Sequence, residues 1–161
     1  MPYQVYPPEA TLTENLKKVK GAFESVQDDI DSTTHEAHKS EVLDAVRDKL
    51  KKLGYQVKSG LAHDQRVQLP VTDNVQYDVD AYNSSTRIAV DVEAGRAWMN
   101  NAFLRDIVDV GMMRDVDHLV LAVPRTFKGT HPFTKICDYL DTFYENGRIS
   151  LPLKTIVIIG Y

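Results

Sequence analysis

Apolar positions recur at helical spacing in the first third of the chain and at strand spacing beyond it. Leu16, Val19, Phe23, Val26 and Ile30 fall on one helical stripe, and Thr11 with Glu14 supplies a capping box ahead of them, so a helix is predicted over 12–30. A second box, Thr33 with Glu36, opens a helix with the stripe Leu43, Val46, Leu50 and Leu53, ended by Gly54 in a left-handed position. Tyr55–Ser59 suits a short strand, and the polar stretch 60–74 has no clear assignment. Residues 75–82 and 87–93 then alternate apolar and polar across the turn Asn83-Ser84-Ser85-Thr86, which predicts a hairpin. A helix follows over 98–114, then a strand at His118–Val123 stopped by Pro124. His131 and Pro132 begin another helix, Gly147 ends it, and the continuously apolar Lys154–Ile159 forms a central or well-covered last strand.

The implied order is helix, helix, three strands, helix, strand, helix, strand: an α/β domain with a mixed sheet and helices on both faces. Residues 1–34, with Pro2, Pro7 and Pro8 in the lead-in, are set apart as an N-terminal extension and helix before an α/β domain over 35–161. Phe23, Val26 and Ile30 require burial, and the sheet already has helices for both faces. Part of the 12–30 helix is therefore expected to pack against a second chain.

At 161 residues and 18.2 kDa the chain is one domain's worth, able to bury roughly 70% of its unfolded surface without staples. Its 43% hydrophobic and 26% charged residues exclude a disordered or fibrous chain. No apolar run is long enough for a membrane span and the N-terminus has no signal-peptide core, so a cytoplasmic protein is expected. A single cysteine, Cys137, excludes a disulfide framework or a cysteine zinc cage; it falls in an apolar helical pattern, as a buried inert thiol does. The net charge of −4 excludes a coat that binds nucleic acid by counterion release alone, though not a basic face.

Candidate chemistry concentrates in VQYDVDAYNSSTRIAVDVEAG, residues 75–95. Asp78, Asp80 and Tyr82 share one side of the first arm; Arg87, Ala89, Asp91 and Glu93 share that side of the second. If Tyr82 pairs with Arg87, Asp78 stands opposite Asp91, with Glu93 one step beyond. A two-residue shift of register preserves the facing, and a one-residue shift destroys it. Like charges facing one another across strands are destabilising. A divalent cation would offset that repulsion, as would simple solvation of an outer face.

A helix ending in Gly, a strand, a hairpin with Asp on one arm and acid-x-acid on the other, then helix and strand, resembles the PD-(D/E)xK nuclease superfamily over roughly residues 36–123. Asp78, then Asp91-Val92-Glu93, occupies its motif, with Glu93 where lysine is usual. In that respect the chain is similar to restriction endonucleases of the BamHI branch. The following EAGRAWMNNAFLRDIV, with Arg105 and Asp106, looks like the BglII-like group. The resemblance implies a restriction endonuclease-like core, α-βββ-α-β with an extra N-terminal helix. It also implies a Mg²⁺- or Mn²⁺-dependent endonuclease acting on double-stranded DNA as a homodimer. Asp78, Asp91 and Glu93 would be catalytic and metal-binding, with Glu93 binding metal or taking a proton from the attacking water. Glu41 and Asp80 are further candidate ligands, with Glu36 a lesser one.

A phosphate backbone would lie on Lys51, Lys52, Arg96, Arg125 and Lys128, with Lys17, Lys18, Lys20 and Lys49 completing the two basic helix clusters; solvated faces explain such clusters equally well. His35 and His38, three apart, could join Glu41 as ligands or simply be exposed. His63, His118 and His131 have no partner in sequence, and Ser84 and Ser85 are turn residues. The alternative to an enzyme is a catalytically inactive binding or assembly module that retains the fold; an acidic-faced interaction domain of other ancestry is a third possibility.

Overall fold

The computed structural model describes residues 1–60, 62, 65–95 and 97–161. Six strands form one mixed sheet. Central β8 (Thr155–Gly160) and β7 (His118–Val123) are parallel to each other, and β6 (Ile88–Val92) runs parallel to β7. β1 (Tyr3–Tyr6) pairs antiparallel with β8 at one edge, while β5 (Ala81–Asn83) and β2 (Gln56–Val57) extend the other edge antiparallel. All six residues of β8 are buried, as its unbroken apolar sequence requires of a strand covered on both faces. A separate two-stranded ribbon, β3 (Val67–Thr72) with β4 (Val75–Val79), lies beside it. β3 lies within the stretch that has no clear assignment from sequence. Its Pro70 and the irregular pairing between Pro70 and Thr72 obscure the strand pattern.

One face of the sheet is covered by α1 (Glu14–Glu24), α2 (Gln27–Ile30) and α3 (Lys39–Lys52); the other by α4 (Ala102–Gly111) and α5 (Pro132–Asn146). The predicted 12–30 helix breaks at Ser25–Val26, and Thr13 rather than Thr11 caps it, accepting from the Leu16 N–H at 3.4 Å. α3 begins later than the Thr33 box suggests. Asp31 engages Thr33 through backbone and side chain instead, and the Glu41 carboxylate accepts from the His38 N–H at 2.7 Å. The 98–114 helix shortens to α4 because Asn100 and Asn101 adopt left-handed backbone.

Residues 1–34 share the common core. Tyr6 is buried beneath α5, donating to Asp141 at 2.9 Å, and Phe23, Val26 and Ile30 join Val42, Val46 and the sheet in one apolar cluster. The expectation that the 12–30 stripe needs a second chain is thereby corrected: its residues are satisfied within the monomer because α1 and α3 share one face of the sheet.

Candidate active site

The predicted hairpin keeps its facing carboxylates but exchanges one of them. Asn83 accepts from the Ser85 and Thr86 N–H groups at 2.9 and 3.2 Å, and Arg87 takes a left-handed φ of 55°, so the turn consumes Arg87. Pairing starts at Asn83 with Ile88 and continues through Tyr82 with Ala89 and Ala81 with Val90, two residues off the predicted register. Asp80 therefore comes to face Asp91. Asp78 belongs to the β3–β4 ribbon, exposed, with Gln68 donating to it at 2.8 Å and Arg66 at 3.4 Å. The expected Asp78–Asp91 pair is corrected to Asp80–Asp91.

The two aspartates interlock. The Asp80 N–H donates to the Asp91 carboxylate at 3.2 Å, and the Val92 N–H donates to the Asp80 carboxylate at 2.9 Å. Both side chains are buried. Burial, then the adjacent Asp80 charge, holds the Asp91 carboxyl well above the usual range. Glu93, at the exit of β6, is fixed through its backbone: its N–H donates to the Ala122 carbonyl at 2.8 Å, and its carbonyl accepts from the Tyr161 hydroxyl at 2.7 Å.

The Lys39 ammonium, at the start of α3, lies 3.0 Å from Asp80 and 3.1 Å from Glu93. Burial opposes its charge, but Asp80, Asp91 and Glu93 together hold it above the ordinary lysine range. Lys58, whose N–H donates to the Asp80 carbonyl, places its ammonium 3.9 Å from the Asp80 carboxylate. Asp80, Lys39 and Lys58 line a cleft of about 610 Å³ together with His38 and Arg47 among others.

Asp106 enters from α4. Its carboxyl is pushed up to about 6, by burial first and then by the Glu93 charge. A folded pKa above the unfolded one means the native state holds an extra proton between about pH 4 and about pH 6. The contribution of Asp106 to stability falls as pH rises through that window. Asp106→Asn should flatten the fall without removing it, because Asp91 is shifted in the same direction; urea midpoints at half-unit steps from pH 3.5 to 7 would show it.

Other predicted residues lie elsewhere. Glu41 is spent on capping α3, and His35 is engaged with the Asp29 carbonyl at 2.8 Å and Thr34 at 3.0 Å, so neither joins the carboxylates. Lys51 and Lys52 are exposed at the opposite end of α3 from Lys39. Arg125 is half-buried in an ion pair with Asp31, whereas Lys128 is exposed on a loop whose Phe127 packs so closely on Gly95 that a Cβ there would collide with its ring. Arg96 and His63 lie outside the described residues. Burial pushes the Cys137 thiol up to about 12, as suits an inert thiol.

Two participants go unremarked, or nearly so, in the sequence. A lysine in the first turn opposes the helix dipole, which is the one local sign that Lys39 has a carboxylate partner. Asp106 lies three residues from Phe103 and next to Ile107, on the inward side of α4.

The profile of the family described as "Putative halobacteria restriction endonuclease" matches residues 1–161. No curated protein matches the chain significantly. The fold is similar to a chain in the crystal structure of restriction endonuclease BglII complexed with a DNA 16-mer, with a TM-score of 0.59 at 10% identity, covering 100% of this chain and 77% of that one. No helix among the described residues is long and apolar enough to cross a membrane. With a whole-chain family match and a BglII-like mixed sheet flanked by helices, the chain belongs to the halobacterial restriction endonuclease family.

Proposed function

We propose that the protein is a metal-dependent endonuclease hydrolysing phosphodiester bonds of double-stranded DNA, with Asp80, Asp91 and Glu93 as its catalytic carboxylates. The observation that carries this is the buried Asp80–Asp91 pair, with the Lys39 ammonium between Asp80 and Glu93, and with Asp80 and Lys39 lining a cleft that holds further cationic residues. Asp is a poor strand residue and the pair repels itself, and a bound cation would offset the charge left over after the Lys39 and Lys58 ammonium groups.

The donor set suits Mg²⁺ or Mn²⁺: hard carboxylate oxygens with excess negative charge. Among the described residues no three such groups are gathered as a ready-made cage, and the Lys39 ammonium stands between Asp80 and Glu93. Asp80 and Asp91, with Glu93, would hold the ion. When bound, the metal supplies Lewis-acid polarisation of the phosphoryl group. Glu93, less buried than the aspartates, takes the proton of the attacking water. Lys39 offers a fixed positive charge to the phosphoryl oxygens, and Lys58 and Arg47 orient the strand in the cleft. Lys128, exposed on the loop whose Phe127 packs on Gly95, is a further contact for the backbone. Cutting both strands asks for two such sites, hence a two-fold pair of chains.

Incubation with plasmid and Mg²⁺, with a chelator control, is the direct test. Asp80→Asn should reduce cleavage by about 10²-fold or more. Asp78→Asn, at an exposed site, should leave both cleavage and stability (within about 0.5 kcal/mol) unchanged. The converse result would restore Asp78 to the site. DNA binding without any metal-dependent cleavage would support the non-catalytic alternative.

A further inference from the structure

Of the two acids at the end of β6, Asp91 lies inside the strand ladder and Glu93 just beyond it, because pairing with β7 ends at Val92 and Ala122. A side chain past the end of a ladder keeps one position only if its own peptide is held. The Glu93 N–H donates to the Ala122 carbonyl at 2.8 Å, and the Glu93 carbonyl accepts from the Tyr161 hydroxyl at 2.7 Å. Two residues on, the Phe127 ring covers Gly95 so closely that no Cβ would fit.

Tyr161 is itself tied down. It follows β8, is 1% exposed, and its N–H donates to the Val123 carbonyl at 2.9 Å. Its carbonyl accepts from the Arg125 N–H at 2.9 Å and from the Ser32 hydroxyl. The Ser32 Oγ in turn accepts from the Arg125 and Thr126 N–H groups at 2.8 and 3.2 Å, and Asp31 pairs with the Arg125 guanidinium. Ser32 precedes α3, whose first residue is Lys39, and the Lys39 ammonium reaches the Glu93 carboxylate at 3.1 Å. The contacts close a ring: Lys39 to Glu93, Glu93 to Tyr161, Tyr161 to Ser32, and Ser32 along the chain back to Lys39. Burial raises the phenol, so its hydroxyl remains a donor.

We infer that Tyr161 is a positioning residue for the cleavage reaction: its hydroxyl fixes the Glu93 peptide, and with it the place of the Glu93 carboxylate. This rests on the nuclease reading above, in which Glu93 helps to hold the ion and takes the proton of the attacking water. A carboxylate with both tasks tolerates little displacement. Groups that orient metal ligands are worth about ten- to a hundredfold in metal affinity or activity. Tyr161 acts through Glu93 alone and is given no contact with substrate.

Tyr161→Phe keeps the ring and removes only the hydroxyl. Tyr82→Phe is the matched control, since the Tyr82 hydroxyl makes a bond of the same length, 2.7 Å, to the Asp115 carbonyl, and neither residue lines the cleft. In the metal-free protein, amide hydrogen exchange at Glu93, relative to Val120 in the buried interior of β7, should accelerate about tenfold in Tyr161→Phe and not in Tyr82→Phe. With plasmid and Mg²⁺, Tyr161→Phe should lower kcat about tenfold or more, leave the KM for DNA unmoved and raise the Mg²⁺ concentration giving half the maximal rate. Tyr82→Phe should change none of these. An unchanged exchange ratio, an equal effect in Tyr82→Phe, or a loss confined to KM would each overturn the proposal. A parent that does not cut overturns the nuclease reading instead. The exchange ratio, which needs neither metal nor DNA, then still decides whether Tyr161 fixes Glu93.

Discussion

Asp91→Asn should stabilise the metal-free protein and abolish its cleavage. Asp91 is buried against Asp80, and burial together with that neighbouring charge opposes its ionisation. An Asn keeps the carbonyl oxygen that accepts from the Asp80 N–H, and offers an N–H toward the Asp80 carboxylate in place of a second charge. A gain of about 1 kcal/mol corresponds to about 2–4 °C in a chain of this size. Sign and pH belong together. A carboxyl with a raised folded pKa costs stability as pH rises above the ordinary carboxylate range, so the gain should be present at pH 7 and vanish below about pH 4. Mg²⁺ should raise the parent's melting temperature by mass action on the native state, and that rise should shrink in the variant along with turnover. Melting in chelator and in millimolar Mg²⁺ at the two pH values, beside plasmid cleavage, separates the cases. An Asp91→Asn protein that melts lower in chelator, or still cuts, would remove Asp91 from the site.

Legibility from sequence followed the range of the interaction that decides each feature. β7, α5 and the burial of β8 are set by local pattern: an apolar run stopped by Pro124, a Pro132 start with a Gly147 stop, and a continuous apolar strand. The apolar stripe over 12–30 continues through the break at Ser25–Val26, so spacing alone predicts one helix where there are two. The choice between Asp78 and Asp80 depended on one turn. Its outcome was decided by Asn83 capturing two N–H groups and by Arg87 adopting left-handed backbone, neither of which alternation reports. The two-residue slip kept the facing of carboxylates while changing their identity, as a period of two demands. Glu41 is ambiguous in sequence because capping and ligation call for the same carboxylate, and here it accepts from the N–H at the helix start. Lys39 was out of reach for a different reason: it contacts Glu93 from 54 positions away in the chain, through α3 packing on the sheet.

Lys39→Met should have the opposite sign to Asp91→Asn in stability. The methionine keeps an unbranched apolar stem and removes the ammonium nearest Asp80 and Glu93, leaving Asp80 the Lys58 ammonium at 3.9 Å. Breaking a buried pair costs about 3–5 kcal/mol, and Lys39 is partly exposed, so solvent screening reduces the expected loss to about 2 kcal/mol, or about 4–8 °C. If the acids form a cation site, Mg²⁺ should recover more of this loss than it adds to the parent, because the ion no longer competes with a resident ammonium. The same change should lower cleavage by about 10²-fold through loss of positive charge beside the phosphoryl oxygens. A double-mutant cycle isolates the contact: in an Asp80→Asn background the cost of Lys39→Met should fall well below its cost in the parent, whereas an unrelated packing role for Lys39 would leave it unchanged. A metal-induced gain in Lys39→Met equal to or smaller than the parent's would mean that Lys39 does not stand where the cation binds. The carboxylates would then be a structural ion-pair network organised around that lysine.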